Sequence, residues 1–481
     1  MKKILAILCI ILLFSGCKKL EDLNENTKDP TDVTGESLFT GGQKNLVDQV
    51  TGTNVNYNIN RLIMQYWTEV TYVDESNYDL VTRSIPDSHW DVLYRDVLKD
   101  FKESARIINE TTYSTDPSPL VKSNKLAVIE IMTVYTYSIL VETFGNVPYT
   151  EALDIENPSP KYDDGLTIYK DLITRLDAAI GTLDPAWGSF DAADNIYGGD
   201  VTQWLKFANS LKLKMGLVLA DKDATYAQTV VEAAAANVLL SNADNAAFVY
   251  LSSAPNQNPI YEDLVASGRH DFVPTSAFVD ALNALDDPRR PFYFTLAPDT
   301  NVYIGGPNGE VSSYGDYSHV ADAMQLPTFE AVIMEYAEVE FLLAEAVERG
   351  FAVGGTAEDH YNNAVRASIT YWGGTAGDAT TYLGNPAVAY ATAGATWQEK
   401  IGNQMWIALY NRGIESWTYW RKYDFPVLTP APDPVAEADG KVPVRFTYPI
   451  AEQTLNGNSY SSASSAIGGD FMYTKLFWDL Y

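Results

Sequence analysis

The chain has 481 residues but only two cysteines, Cys9 and Cys17, and both lie near its start. The rest of the chain therefore has no thiol with which to build a disulfide framework or a zinc site of the cysteine type. A protein without such cross-links depends on its hydrophobic core for stability. A chain of this length can bury a core large enough for that purpose.

Basic residues are also scarce, because 33 Lys and Arg stand against 63 Asp and Glu, for a formal net charge of −30. Proteins that bind nucleic acid neutralise its phosphates with clustered Lys and Arg. Anionic lipid surfaces attract basic segments in the same way. The composition therefore argues against nucleic acid as a partner and against membrane attachment by charge.

Common catalytic and metal-binding patterns are missing as well. The four histidines, His89, His270, His319 and His360, are each more than forty residues from the next, and the chain has no G-x-S-x-G, phosphate-binding glycine loop or H-E-x-x-H pattern. Residues 191–200 lack the regular ligand alternation of a calcium loop. We therefore predict a protein without catalytic activity, cofactor or metal. A carboxylate-based glycoside hydrolase stays open, because 63 acidic residues make chance carboxylate pairs inevitable.

The first residues form a secretory signal. Lys2 and Lys3 precede the apolar run 4–14, and the small residues Ser15 and Gly16 precede Cys17. The run is too short to span a membrane, which takes about 20 apolar residues. The pattern resembles a bacterial lipoprotein signal, in which the cysteine is acylated and becomes the first mature residue. An ordinary secreted protein with an incidental cysteine is the alternative.

This interpretation divides the chain into three parts. Residues 1–16 are the predicted signal peptide. Residues 17–36 are polar and aperiodic, so we predict a flexible tether attached to lipid through Cys17. Residues 37–481 are predicted to form one domain.

Hydrophobic periodicity predicts a mainly α-helical domain. Residues 131–141 carry no charge at all, which is typical of a helix buried on every side. The other predicted helices are 37–50, 59–69, 87–108, 163–183, 200–219, 225–240, 276–285, 328–349, 356–371 and 397–419. Between 250 and 325 the short apolar runs 292–296 and 302–304 predict small β ribbons within long loops, and 442–448 alternates like a strand.

Two pairs of predicted helices resemble tetratricopeptide units. Residues 337–349 with 357–369 carry small and aromatic residues at suitable offsets, and 129–144 with 169–180 is a looser instance. Because the pairs are not contiguous, we predict a scaffold of helix pairs with long loop insertions. Four glutamates of the 328–349 helix project from a similar side and are predicted to form a solvated face: Glu335, Glu338, Glu345 and Glu348. Glu340 points elsewhere and is predicted to be paired in the interior, since burying a lone carboxylate is costly.

A series of short motifs resembles one family over almost the whole chain, the SusD/RagB group of Bacteroidetes outer-membrane lipoproteins. The motifs are FGNVPY at 144–149, PKYD at 160–163, DNIYGGD at 194–200, WLKFANSLK at 204–212, DPR at 287–289, EVEF at 338–341, WRK at 420–422 and VRFTYP at 444–449. Each motif alone is weak, and their order and spread make the resemblance specific. Most of them are interpreted as structural rather than ligand-binding.

The resemblance implies an α-helical fold built on four tetratricopeptide-like helix pairs. It also implies a cell-surface lipoprotein that captures nutrients, usually glycans, above a TonB-dependent outer-membrane channel of the SusC type. Glu21 and Asp22, just after the lysines that follow Cys17, resemble the acidic signals that send lipoproteins of this phylum to the cell surface. The predicted location is therefore the extracellular face of the outer membrane.

A sugar-binding site needs exposed aromatic plates flanked by planar polar groups, because stacking buries carbon while the polar groups satisfy hydroxyls. Three loop stretches have this composition. The predicted ligand-binding residues are Tyr72, Asp74, Asn77, Tyr78, Trp90, Asn258, Tyr261, Arg269, Tyr314 and Tyr317. The same composition suits a peptide, and a helical-repeat adaptor that binds only proteins is the main alternative.

Overall fold

Helices make up most of the structure, a computed structural model that describes residues 33–111 and 119–481. The predicted signal peptide, Cys17 and most of the tether predicted for 17–36 lie outside the described residues. The helices are α1 (Gly35–Thr51), α2 (Asn60–Ile63), α3 (Ile85–Asp91), α4 (Lys99–Glu110), α5 (Pro119–Phe144), α6 (Gly165–Thr182), α7 (Val201–Val218), α8 (Ala224–Ala234), α9 (Pro259–Tyr261), α10 (Ser276–Leu285), α11 (Arg290–Tyr293), α12 (Tyr336–Glu348), α13 (Ala357–Tyr371), α14 (Ala376–Leu383), α15 (Trp397–Ala408), α16 (Gly413–Tyr423), α17 (Ile450–Leu455) and α18 (Gly457–Ala466). A π-helical stretch, Val92–Leu98, joins α3 to α4.

Short strands pair in twos between the helices. They are β1 (Trp67–Glu69), β2 (Val147–Pro148), β3 (Tyr162–Asp163), β4 (Ala246–Phe248), β5 (Phe272–Pro274) and β6 (Ala331–Met334). The pairs are antiparallel: β1 with β5, β2 with β3, and β4 with β6. The prediction of a mainly α-helical fold with a few short β ribbons is confirmed.

The uncharged segment 131–141 lies in α5, and most of that helix is buried in the core as predicted. Among the described residues α5 is the one helix long and apolar enough to cross a membrane, but 83% of its apolar window is buried inside the protein. Burial on all sides explains why the helix is apolar all round. It ends at Gly145, whose φ of +90° suits a residue without a side chain.

Consecutive helices pack against each other in pairs, the arrangement of tetratricopeptide-like folds. α5 packs on α6, α7 on α8, α12 on α13, and α15 on α16. Both helix pairs suggested by the sequence, 129–144 with 169–180 and 337–349 with 357–369, are therefore confirmed. The loops between the pairs carry the short strands and the longer irregular segments.

Side-chain caps explain several helix starts. Asp164 caps α6, Asp200 caps α7 and Thr356 caps α13, each by accepting a backbone N–H of the first turn. The sequence also favours Asp87 as the cap of the helix predicted for 87–108, and this expectation is wrong, because α3 begins earlier, after Ser84. The Asp87 carboxylate instead accepts the backbone N–H groups that open α17.

Two predicted helices are divided in the structure. The predicted helix 59–69 stops after α2, since Gln65 takes a φ of +54°, and the chain then forms β1. The predicted helix 397–419 breaks between α15 and α16. At Gly413 a Cβ atom would lie 2.9 Å from the backbone nitrogen of Arg61, so the chain passes too close for a side chain.

The predicted strands are wrong in the details. Of the run 292–296, three residues lie in or beside α11, and Phe294 makes only a single bridge to Val320. Residues 302–304 and 442–448 form no strand. The helix predicted from 328 begins later, because β6 pairs with β4 before α12 starts.

The predicted solvated face of α12 is wrong for three of its four glutamates, since of the four only Glu348 is exposed. Glu335, Glu338 and Glu345 are 4%, 0% and 0% exposed. Glu338 accepts hydrogen bonds from Arg412 and from the Tyr419 hydroxyl, so its charge is compensated inside the protein. Glu340 is buried and accepts a hydrogen bond from His360 at 2.7 Å, as predicted for an interior, paired carboxylate.

Candidate functional site

The short β1–β5 pairing brings two of the predicted ligand-binding loops side by side. Trp67 lies opposite Pro274 and Glu69 opposite Phe272. The pairing continues beyond the strands, since the Val70 N–H donates to the Asp271 carbonyl at 2.9 Å. The segments 70–83 and 266–271 therefore lie next to each other at the same end of this two-stranded sheet.

A third loop joins them. The Ser312 N–H donates to the Val70 carbonyl at 2.8 Å, and the Asn77 side-chain amide donates to the Gly309 carbonyl at 2.8 Å. Gly309 has a φ of +68°, and a Cβ there would lie 2.8 Å from the Asn77 amide oxygen. We name the surface formed by segments 70–83, 266–271 and 306–319 the loop face.

Aromatic rings stack on the loop face. Tyr314 lies parallel to His319 with ring centroids 3.9 Å apart, and His270 stacks on Tyr314 at 4.7 Å. His270 is exposed and Tyr314 is half-buried, so the stack reaches the surface. A planar stack of this kind offers a flat face to a ring-shaped ligand.

Beside the stack is a polar cavity of about 180 Å³. Tyr72, with 59% of its surface exposed, lines the cavity together with Arg269. The other polar groups in its wall are Thr53, Asn54, Asn56, Glu69, Arg83, Asp263, Ser267 and Asp271. One exposed phenol ring among amides, guanidinium groups and carboxylates is the combination that a sugar ring requires.

Charges in the cavity wall are largely compensated by their neighbours. Arg269 contacts Asp271, and Arg83 contacts Glu75 just behind the wall. Glu69 accepts hydrogen bonds from the N–H and hydroxyl groups of Ser76. The wall therefore carries no large excess of positive charge, which an anionic ligand would need.

Glu69 is the most perturbed group of the cavity. Burial raises the pKa of its carboxyl to about 8, and the Glu75 carboxylate beside it adds to the rise. The two side chains are buried together, and Glu75 Oε2 has no hydrogen-bond partner in the described structure unless Glu69 carries a proton. The Glu69 carboxyl therefore keeps its proton to a higher pH than an exposed glutamate does.

The structure places six of the ten predicted ligand-binding residues at or near the surface. Tyr72, Asp74 and Arg269 are exposed, whereas Tyr261, Tyr314 and Tyr317 are half-buried. Of these, only Tyr261 lies outside the loop face, on α9. The loop face therefore gathers residues from all three predicted stretches.

The other four predicted residues, Asn77, Tyr78, Trp90 and Asn258, are buried. The Tyr78 hydroxyl accepts the Ala431 N–H at 3.0 Å, so this ring fastens two loops together. Trp90 packs edge-to-face on Phe144 in the core. Asn258 caps α9 and donates to the Phe329 carbonyl at 2.6 Å. These four side chains expose little or no surface, and Asn77 supports the loop face from within.

The sequence analysis missed the two histidines of the stack. His270 and His319 were considered only as metal ligands, although an imidazole is also a flat ring. Their nearness to Arg269 and Tyr317 in the sequence was the available signal. Among the described residues no group of three His, Asp or Glu side chains is placed to hold a metal ion.

A second and larger cavity, of about 610 Å³, lies between α11, the segment 321–330 and the end of α13. Aromatic and other apolar side chains form most of its wall. We name it the aromatic cleft, and its main lining residues are Phe292, Phe294, Phe329, Tyr371, Trp372 and Met324. Asp322 and Glu330 lie in the same wall.

Comparison with known proteins agrees with this architecture. The family model "SusD-like_2: Starch-binding associating with outer membrane" matches residues 27–449. The comparison with curated proteins gives no match.

Solved structures of similar proteins cover nearly the whole chain. A "chitin-binding protein" is 27% identical with a TM-score of 0.80, over 93% of this chain and 100% of the other. A SusD homologue from Bacteroides uniformis is 26% identical with a TM-score of 0.75, over 92% and 99%. A chitin-binding SusD homologue from Flavobacterium johnsoniae shares the fold at 22% identity and a TM-score of 0.77, over 92% and 98%. With the family model matching most of its length, this chain belongs to the SusD-like family.

Proposed function

We propose that this protein is a non-catalytic, glycan-binding lipoprotein of the outer-membrane surface, and that the loop face is its binding site. The observation that carries the proposal is the exposed Tyr72 ring beside Arg269 and the His270–Tyr314–His319 stack, on loops held together by backbone hydrogen bonds. Stacking surfaces with adjacent planar polar groups recognise sugar rings. The family model is described as starch-binding, and a similar solved structure is that of a chitin-binding protein. Both comparisons support a glycan as the ligand.

Replacing Tyr72 with alanine should weaken glycan binding about tenfold, because the exposed ring loses its stacking contact with a sugar. Tyr72 is 59% exposed, so its loss should leave the fold intact. The measurement is calorimetric titration of the purified protein with starch and chitin oligosaccharides and with a peptide panel, while released reducing ends are monitored.

Trp187 supplies the matched control, since it is a 43% exposed aromatic residue outside the loop face and Trp187→Ala should bind like the wild type. Saturable binding without product supports the proposal. Release of reducing ends would favour a glycoside hydrolase instead. Failure of every oligosaccharide to bind would favour an adaptor that recognises only proteins.

We further propose that lipid on Cys17 holds the protein at the cell surface beside a TonB-dependent channel of the SusC type, to which it delivers the glycan. The signal pattern at 1–17 and the outer-membrane description of the family support this location. Cys17→Ala should release the protein from the membrane fraction, since acyl chains supply the anchoring free energy. The wild type, isolated from solubilised outer membranes, should bring a large β-barrel protein with it. Resistance of the wild type to protease added to intact cells would contradict the extracellular location.

A further inference from the structure

The aromatic cleft is separate from the polar cavity of the loop face, and its walls have a different chemistry. Phe292, Phe329 and Trp372 are half-buried, so each leaves part of its ring open to the cleft. The volume of about 610 Å³ is within the range of small-molecule sites. A cleft with several partly open aromatic rings offers stacking contact to a ring-shaped ligand.

Packing beneath the cleft fixes these rings in place. Trp372 meets Tyr293 edge-to-face with centroids 4.7 Å apart, and it contacts Phe329 at 6.3 Å. Gly373, with a φ of +109°, allows Phe292 to pack closely, since a Cβ there would lie 2.9 Å from the Phe292 ring. Asn258 holds the backbone of Phe329 through its side-chain amide. The cleft is therefore formed before any ligand arrives, which lowers the entropic cost of binding.

The charge of the cleft selects against anions. Asp322 and Glu330 lie in its wall, and none of the described lining residues is Lys, Arg or His. The Glu330 carboxylate accepts a hydrogen bond from the Tyr371 hydroxyl at 2.9 Å, which orients both groups. Carboxylates and threonine hydroxyls can accept hydrogen bonds from ligand hydroxyls.

The cleft and the loop face share one segment of chain. His319 stacks on Tyr314 in the loop face. The same residue is bonded to the cleft wall, because the Thr295 N–H donates to the His319 carbonyl at 2.9 Å and the His319 N–H donates to the Thr295 hydroxyl at 3.1 Å. One pair of hydrogen-bonded residues, Thr295 and His319, therefore connects the cleft to the loop face.

We propose that the aromatic cleft is a second carbohydrate site, which binds a sugar ring of an uncharged oligosaccharide whose other end occupies the loop face. This inference rests on the proposed function and adds the ligand's length and charge. A ligand that engages two linked sites gains affinity without any change at the first site. Longer neutral oligosaccharides should therefore bind more tightly than short ones, and uronic acid oligomers should bind poorly.

The test compares chitin disaccharide and hexasaccharide binding to the full-length protein and two variants. We expect the wild type to bind the hexasaccharide at least about tenfold more tightly than the disaccharide, and Phe329→Ala to remove most of that gain. Tyr72→Ala should weaken both ligands. Hydrogen–deuterium exchange supplies an independent readout, because the hexasaccharide should protect residues 321–330 and 371–373 of the wild type.

The outcomes separate the two proposals. If Tyr72→Ala weakens binding but Phe329→Ala and the exchange at 321–330 show no effect, the second site is wrong and the loop face stands. If only Phe329→Ala weakens binding, the cleft stands and the loop face is wrong. Tighter binding of a galacturonate hexasaccharide than of the neutral one would overturn the inferred charge selection. If no oligosaccharide binds the wild type, both proposals are wrong.

Discussion

Replacing Arg412 with methionine should lower the free energy of unfolding by about 3–5 kcal/mol, the usual cost of removing one partner from a buried ion pair. Arg412 is 4% exposed and lies among three glutamates of the core. It donates to Glu338 and to the Ile333 carbonyl at 2.7 Å, and its guanidinium is 3.6 Å from Glu415. Methionine fills a similar volume but leaves these carboxylates without their cation.

The surrounding charges determine how this loss depends on pH. Burial alone would lower the pKa of Arg412, but Glu338 and Glu415 hold it well above its usual value. Burial raises the pKa of the nearby Glu335 to about 7. Without the guanidinium Glu335 takes up a proton more readily in the folded state, so the stability loss should be smaller at pH 5 than at pH 8.

Urea unfolding at both pH values measures the effect. Arg95→Met is the matched control, because Arg95 is 61% exposed and its ion pairs contribute little. Arg412→Lys should cost less than Arg412→Met, since it keeps the charge and loses the forked geometry. If Arg412→Met does not fold, Tyr419→Phe removes one hydrogen bond to Glu338 and should lower stability by about 1 kcal/mol. An Arg412→Met protein as stable as the Arg95 control would contradict this account.

Local sequence signals predicted the scaffold well, for identifiable reasons. The uncharged segment 131–141 acts within one helix, so neighbouring residues are enough to predict its burial. The motifs of the family resemblance are likewise structural. In WRK, Arg421 is buried, lies 3.8 Å from the Trp417 ring centroid and donates to the Glu142 carbonyl at 2.6 Å.

Burial of charge was not predictable in the same way. The glutamates of α12 repeat like those of a solvated helix, and the partner of Glu338 is Arg412, which lies 74 residues further along the chain. Helical spacing describes which side a residue faces, but the neighbour on that side is set by tertiary packing. The same limit explains the loops, where Tyr72 is exposed and Tyr78 is buried against the backbone of Ala431.

Ionisation of the buried Glu69 should lower the stability of the folded protein as the pH rises. The folded-state pKa of Glu69 is about 8, raised by burial and by Glu75, whereas in the unfolded chain it returns to about 4.5. Its contribution to stability is therefore fully present below pH 4.5 and is lost as the pH rises toward 8. Because burial causes most of this rise in pKa, the contribution should be on the order of a few kcal/mol.

Glu69→Gln should abolish this part of the pH dependence, because glutamine stays neutral beside Glu75 as the protonated acid does. We expect the variant to match the wild type near pH 5 and to exceed its unfolding free energy by several kcal/mol near pH 8. Glu358→Gln replaces an exposed glutamate and should follow the wild type at both pH values. Since β1 and segment 70–83 carry this pair, the protection of the loop face from hydrogen exchange, corrected for the intrinsic rise of amide exchange with pH, should fall with pH in the wild type and stay level in Glu69→Gln. If the unfolding free energies of the two proteins change with pH in the same way, Glu69 is ionised in the folded state at neutral pH. The cavity would then carry more negative charge than inferred.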